Sequence, residues 1–193
     1  MTPFWQTSRF QMDLARPRVM GIVNATPDSF ADGGVHFSEG KPSTVLAHCE
    51  QLLKDGADML DIGGESTRPG SPAVPLAQEL ARVLPVLRHA VTLGVPVSVD
   101  TYKPEVMQAA LDLGVDIIND VWALRRPGAL QVVAAGHGGF VVEEEFDPSL
   151  PPIMANADAL VSELLRAAPQ APRLVSSSKV KALSFPSLRR RMA

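Results

Sequence analysis

The chain has a single cysteine in 193 residues, Cys49, so it can form no internal disulfide and cannot build a thiolate metal centre from that residue alone. A lone thiol of this kind is expected to pack in a core. Aromatic residues are scarce at 5%, which argues against a surface that stacks nucleobases. No apolar run approaches the roughly 18 to 20 residues that cross a bilayer. Met1 to Gln11 holds no cationic segment followed by an apolar one, so the expectation is a cytoplasmic protein with no membrane partner. Net charge is also small, at -3. It is unevenly spread, because residues 173–193 carry six basic groups (Arg173, Lys179, Lys181, Arg189, Arg190, Arg191) and no acidic one. With only Phe185 beside them, these read as a solvated, disordered end and not as a nucleic-acid tether. The whole chain is 46% hydrophobic and 20% charged, the composition of a globular domain with a core.

From Val19 to Val142 short apolar runs alternate with longer segments of helical period, the pattern of successive strand and helix pairs in a parallel sheet. Strands are expected at Val19 to Val23, Met59 to Ile62, Val97 to Val99, Val115 to Ile118 and Gly139 to Val142. Helices are expected at Pro42 to Lys54, Leu76 to Leu93, Pro104 to Leu113 and Pro127 to Ala135. Val45, Leu46, Cys49, Leu52 and Leu53 share one face of the first; Leu80, Val83, Leu84, Leu87 and Val91 share one face of the second. Proline suits the opening turn of the third, and Gly114 suits its stop. Such units build either an open doubly wound sheet or a closed barrel, and the polar residues favour the barrel. Asn24, Asp61, Asp100 and Asn119 each fall at or within a residue of the C-terminal end of an expected strand, where a barrel gathers its catalytic side chains at one mouth. Each alone has a plainer reading, since Asp and Asn also cap helices and fill turns.

Two connections are long and rich in glycine and proline, as functional lids are: Ala25 to Gly40 and Gly63 to Pro75. In the second, Ser66, Thr67 and Arg68 offer hydroxyls, backbone N–H groups and a guanidinium suited to phosphate or carboxylate oxygens. Asn24 offers a neutral oxygen that could complete the shell of a Mg²⁺ ion whose other ligands are water and substrate phosphates. Asp100 and Asn119 form a more telling pair. A carboxylate that accepts two N–H groups, beside an amide that both donates and accepts, matches a flat heterocycle with adjacent ring N–H, amino and carbonyl groups.

The segments MGIVNATPDSFADGG (Met20 to Gly34), DIGGESTRPGS (Asp61 to Ser71), SVDTYKP (Ser98 to Pro104) and DIINDV (Asp116 to Val121) together resemble the dihydropteroate synthase family. The resemblance runs from about residue 15 to about residue 140. It implies an α/β fold of the TIM (β/α)8 type, here a partial barrel of four to five units. It further implies condensation of 6-hydroxymethyl-7,8-dihydropterin diphosphate with p-aminobenzoate, which releases pyrophosphate in folate synthesis. Carried over by motif, Asn24 would meet Mg²⁺ and pyrophosphate. Thr67 and Arg68 would lie at the pyrophosphate and p-aminobenzoate end, Asp100 and Asn119 would bind the pterin, and Asp61 would support the site. Asp100 and Arg68 are the expected catalytic residues. Methyltetrahydrofolate-dependent methyltransferases share the strand-end Asp and Asn but not the TPDSF and GGESTRPG loops, so they rank as an alternative.

After Val142 the rhythm fails, dividing the chain into a barrel portion at 1–142 and an extension at 143–193 with one expected helix from Ala155 to Ala168. The extension offers no convincing counterpart of the family's second-half aspartate, lysine, arginine and histidine. Ser178 and Lys179 echo the lysine segment only in composition. A non-catalytic pterin-binding fragment is therefore a further alternative to a working synthase. An open half barrel also leaves strand edges unpaired, so the expectation is self-association, with a homodimer as the simplest form.

Overall fold

The structure, a computed structural model, describes residues 4–26, 43–66, 71–136 and 139–142. A two-stranded hairpin comes first among the described residues, with β1 (Phe4–Gln6) antiparallel to β2 (Gln11–Asp13). Alternating units follow: β3 (Met20–Asn24), α1 (Ser43–Lys54), β4 (Met59–Gly63), α2 (Leu76–Ala90), β5 (Val97–Asp100), α3 (Pro104–Asp112), β6 (Ile117–Asp120), α4 (Ala129–Ala135) and β7 (Gly139–Val142). The five later strands form one parallel sheet in sequential order, β3-β4-β5-β6-β7. Sequential parallel strands with a helix between each pair are the first half of a (β/α)8 wall.

Alternation along the strands decides which face meets the helices. Val23, Leu60, Ile62, Val97, Val99 and Ile118 are buried against Val45, Cys49, Val83, Leu87, Val106, Met107 and Ala110, so the core lies between sheet and helices. Burying one such aliphatic side chain stabilises the fold by about 1.5–3 kcal/mol. Gly21 faces the same way because an added Cβ would stand 3.2 Å from Ala57 and Leu52, tighter than ordinary contact. Cys49 is fully buried there, as expected of a packing thiol.

The opposite face of the sheet has a sealed end and a polar end. At the N-terminal ends of the strands, Met59 and Ile117 pack with Met12 of the hairpin, and Trp5 and Met20 border them. Asp116 pins the hairpin in place. Its carboxylate is fully buried and accepts from Arg9 Nε at 3.0 Å, Arg9 Nη2 at 2.5 Å and the Val97 N–H at 3.0 Å.

Element boundaries differ from expectation where a local group overrides periodicity. The strand expected at Val115 to Ile118 begins at Ile117 and runs to Asp120, because Asp116 turns its side chain to Arg9 and Val97. Helix α2 stops at Ala90, three residues early, where a turn leads to Gly94 at φ +75°, and Pro85 is accommodated on its exposed side. Helix α4 starts at Ala129, after Gly128 at φ +92°. The β1–β2 hairpin was not expected. Among the described residues no helix is long and apolar enough to cross a membrane. Most of the Ala25 to Gly40 loop, the expected Ala155 to Ala168 helix and the basic end lie outside the described residues.

Candidate active site

The register of the parallel sheet brings the polar strand-end residues into one row. On the inner face Asn24 pairs with Gly63, Gly63 with Asp100, and Asp100 with Asn119. One pleat lower, Ile22, Asp61, Ser98 and Ile117 follow each other across the same strands. Asn24 is exposed, Asp100 half-buried, and Asp61 and Asn119 are each only 3% exposed. Asn119 Nδ2 donates to Asp61 Oδ2 at 3.3 Å, which ties the two rows together. Asp61 lies inside β4 and not at its end, since the strand continues to Gly63. Gly63 leaves room beside Asp100: a Cβ there would sit 3.5 Å from the Asp100 Cβ and Oδ2.

The plainer readings of Asp100 and Asn119 do not hold. Lys103, not Asp100, occupies the N-cap of α3, and its backbone N–H donates to Thr101 Oγ1 at 3.2 Å. The turn after β6 is held by Asp120, whose carboxylate accepts from the Trp122 and Leu124 N–H groups at 2.8 Å each. Those bonds fix a turn in which Ala123 and Leu124 adopt left-handed φ angles of 55° and 58°. Burial pushes the Asp120 carboxyl above its ordinary value, although both backbone bonds act the other way. The Asn119 side chain is thus not what holds that turn. Its Oδ1 is buried and meets no hydrogen-bond partner among the described residues, a condition that native interiors rarely leave unmet.

Behind this row lies an ionic network that the sequence did not announce. The Lys103 ammonium is paired with both Glu65 and Glu79, and Lys103 and Glu79 are 7% and 1% exposed. Thr101 Oγ1 donates to Glu79 Oε1 at 2.7 Å, and the Tyr102 hydroxyl donates to Glu65 Oε1 at 2.7 Å. Arg82 Nη1 donates to the Gly64 carbonyl at 2.8 Å. Burial alone would depress the Lys103 ammonium, yet the two carboxylates hold it above its ordinary value. Burial would likewise raise Glu65, but Lys103, Tyr102 and the Val74 N–H keep it below. Lys and Glu are rarely buried unless paired, and this triad meets that condition. Tyr102 also stacks on Trp122 at 5.1 Å between centroids, with the Arg126 guanidinium 4.5 Å from the Tyr102 ring.

Of the residues expected at the site, Asn24, Asp61, Asp100 and Asn119 share the inner face, while Thr67 and Arg68 lie outside the described residues. Ser66, next to them, is exposed and bonded to the Ser71 hydroxyl at 3.1 Å. No group of three or more His, Cys, Asp or Glu suited to a metal ion exists among the described residues. One exposed amide oxygen, that of Asn24, fits a Mg²⁺ that brings water and phosphate oxygens for the rest of its shell.

The sequence profile of the pterin binding enzyme family matches residues 20–182. The chain belongs to this family. Dihydropteroate synthase of Neisseria meningitidis serogroup C is 55% identical over 131 residues, which are 67% of this chain and 46% of that protein. The Bacillus subtilis dihydropteroate synthase is 43% identical over 145 residues, 72% of this chain and 50% of that one. Among solved structures, Xanthomonas albilineans dihydropteroate synthase with 4-aminobenzoic acid superposes with a TM-score of 0.76 at 42% identity, covering 87% of this chain and 63% of that one. Burkholderia cenocepacia dihydropteroate synthase complexed with 7,8-dihydropteroate gives 0.70 at 40%, covering 86% and 59%. The chain spans about half the length of the curated relatives it matches. The profile match extends well past Val142, beyond the stretch in which motifs are legible by eye.

Proposed function

We propose that this chain carries the pterin and diphosphate half of a dihydropteroate synthase site, acting on 6-hydroxymethyl-7,8-dihydropterin diphosphate and p-aminobenzoate in the cytoplasm. The observation that carries the reading is the inner-face row of Asn24, Asp100 and Asn119 above Asp61, with the buried Asn119 Oδ1 still to be met. Kinship with dihydropteroate synthases at 43–55% identity supports it.

In this reading Asp100 accepts two N–H groups of the pterin edge and Asn119 donates to and accepts from the adjacent carbonyl and ring nitrogen. Asp61 orients the Asn119 amide through the bond between them. As the bond from the pterin methylene carbon to the diphosphate oxygen breaks, positive charge spreads into the ring, and the Asp100 carboxylate against that ring stabilises it. Thr67 and Arg68 hold the departing diphosphate oxygens. Mg²⁺ held through Asn24 would neutralise charge on that leaving group. The p-aminobenzoate nitrogen then bonds to the methylene carbon and gives up a proton to solvent. The proton is acidic enough after bond formation that no strong protein base is required.

Two measurements test the proposal. Pteroate formation from p-aminobenzoate reports turnover, and calorimetry with the pterin diphosphate reports binding by this half of the barrel. Asp100→Ala should weaken binding by about 1–3 kcal/mol, roughly five- to 150-fold, because it leaves ligand N–H groups without an acceptor. Unchanged affinity in that variant would remove Asp100 from the site.

A further inference from the structure

Asp100 is the last residue of β5, paired with Gly63 on β4 and Asn119 on β6. A strand end is where a sheet frays, yet this one carries a carboxylate whose direction decides whether it can meet a ligand edge. Thr101, the next residue, is fastened twice. Its backbone N–H donates to the Asn119 carbonyl at 3.0 Å, which continues the pairing with β6 one residue past the strand. Its side chain lies on the helix side of the sheet, is buried, and donates from Oγ1 to Glu79 Oε1 at 2.7 Å. The same hydroxyl oxygen accepts from the Lys103 N–H at 3.2 Å, which ties the start of α3 to the strand end.

Glu79, in the first turn of α2, is as buried as the apolar residues around it. The Lys103 ammonium, paired with both Glu79 and Glu65, supplies the countercharge without which so buried a carboxylate is costly. Buried ion pairs contribute little net stability, since desolvation offsets most of the attraction, and their better-attested use is to fix one arrangement. What is fixed here is the place of Glu79 Oε1 and, through the Thr101 hydroxyl, the peptide that joins Asp100 to Thr101. Successive side chains of a strand leave opposite faces, so holding Thr101 on the helix side directs Asp100 to the inner face. We propose that Thr101, anchored by Glu79, is a positioning residue that aims the Asp100 carboxylate over the inner face and keeps its spacing from Asn119. This inference rests on the function proposed above, in which Asp100 meets the pterin edge. Thr101 acts from behind the sheet and touches no substrate. A binding constellation has to be held within about 0.5 Å of its productive geometry by hydrogen bonds outside it, and this pair of bonds does so for Asp100.

The test uses the full chain with Thr101→Val, which keeps the backbone N–H and the branched shape but removes the hydroxyl, and Thr101→Ser, which keeps the hydroxyl. Calorimetry with the pterin diphosphate gives the affinities. Scalar couplings between the Asp100 Cγ and its backbone N and carbonyl C report, without ligand, whether χ1 keeps one rotamer. The expected result is about tenfold weaker binding in Thr101→Val, short of the roughly hundredfold that an ångström of misplacement can cost. Thr101→Ser should bind within about twofold of the parent. Asp100 should keep one rotamer in the parent and in Thr101→Ser, and average over several in Thr101→Val. In a chain already carrying Asp100→Ala, adding Thr101→Val should change the affinity by less than about twofold, because the group it positions is gone. Undiminished binding in Thr101→Val would overturn the proposal. So would equal weakening with and without Asp100, which would mark Thr101 as merely structural, and so would an Asp100 side chain that stays in one rotamer in Thr101→Val. Should Thr101→Val not fold, Thr101→Ala takes its place with the same outcomes decisive. If the parent binds no pterin diphosphate, the functional reading fails, and the rotamer measurement alone decides whether Thr101 holds Asp100.

Discussion

Gly63 and Gly64 are adjacent, yet a methyl group added at each would meet a different part of the molecule. At Gly64 the new Cβ would stand 2.7 Å from Val83 Cγ1 and 3.0 Å from Glu79 Cγ. Non-bonded carbons settle at roughly 3.5–4.0 Å, so either α2 or the end of β4 has to move by about an ångström. Neither obstacle can turn aside. Val83 is fully buried, and Glu79 is held by Thr101 and Lys103. Overpacking of this kind costs about 1–3 kcal/mol, and the fixed neighbours place Gly64→Ala at about 2 kcal/mol of lost stability. At Gly63 the nearest atoms are the Asp100 Cβ and Oδ2, both at 3.5 Å, an ordinary contact. Alanine also loses less backbone entropy than glycine, so Gly63→Ala should leave stability within about 0.5 kcal/mol or raise it slightly. Its effect should fall on the ligand, because the methyl group occupies the inner face beside the Asp100 carboxylate. A tenfold loss of pterin diphosphate affinity, about 1.4 kcal/mol, is expected. Urea unfolding of both variants and calorimetry with the ligand separate the two effects. A Gly64→Ala protein as stable as the parent would refute the tight seating of α2 behind the loop. A Gly63→Ala protein that binds normally would refute the claim that Asp100 serves a ligand on the inner face.

Asp116→Ala should remove about 3 kcal/mol of stability by stranding the Arg9 guanidinium and the Val97 N–H, and should speed hydrogen exchange in residues 4–13; normal protection there would show that the hairpin is held by something else. The network also predicts a pH profile. Glu65, held below its ordinary value, contributes stability that is present above about pH 4.3 and lost as pH falls through its folded value. Lys103, held above its ordinary value, contributes stability that is complete below about pH 10.4 and lost as pH rises through its folded value. Thermal melts should therefore show a plateau between these limits, with a shallower acid limb in Glu65→Gln, and an acid limb identical to the parent's would contradict the pairing. Burial pushes the Cys49 thiol up to about 11, which leaves roughly a thousandth of it as thiolate at pH 8. An alkylating reagent should modify Cys49 only after unfolding, and rapid labelling of the folded chain would place the thiol at the surface.

What the sequence discloses depends on how far apart the cooperating residues lie. Helices α1, α2 and α3 are legible because their apolar stripes repeat within a few residues, and Asp100 and Asn119 are legible because each closes a short apolar run. The β1–β2 hairpin is not, since its strands are three residues each and, among their described side chains, Met12 alone is buried. The start of β6 is misread for a related reason: Asp116 looks like a strand residue until Arg9, 107 positions away, claims its carboxylate. Glu79 sits in the apolar stripe of α2 as an apparent defect. Its partner Lys103 is 24 residues on, and Glu65 is 38 residues from the same ammonium. Motif reading includes both Glu65 and Lys103 within GGESTRPGS and SVDTYKP, but only the fold shows that they touch.

The strand order also bears on the proposed function, in which ring and diphosphate recognition should be separable by mutation. Neighbouring strands stand about 4.8 Å apart, so Asp100 on β5 and Asn119 on β6 are one step from each other, and Asn24 on β3 is two steps, about 10 Å, from Asp100. One step suits two adjacent groups on a single heterocycle edge. Two steps exceed that edge and reach into whatever the ring carries as a substituent. Gly63, the residue between Asn24 and Asp100 in the row, has no side chain to block the path. The ligand of the proposed function has that shape, with a flat hydrogen-bonding head to lie over β5 and β6 and an anionic arm to run toward β3. A pterin without its diphosphate has only the first of these parts, which is why it should bind weakly to the parent.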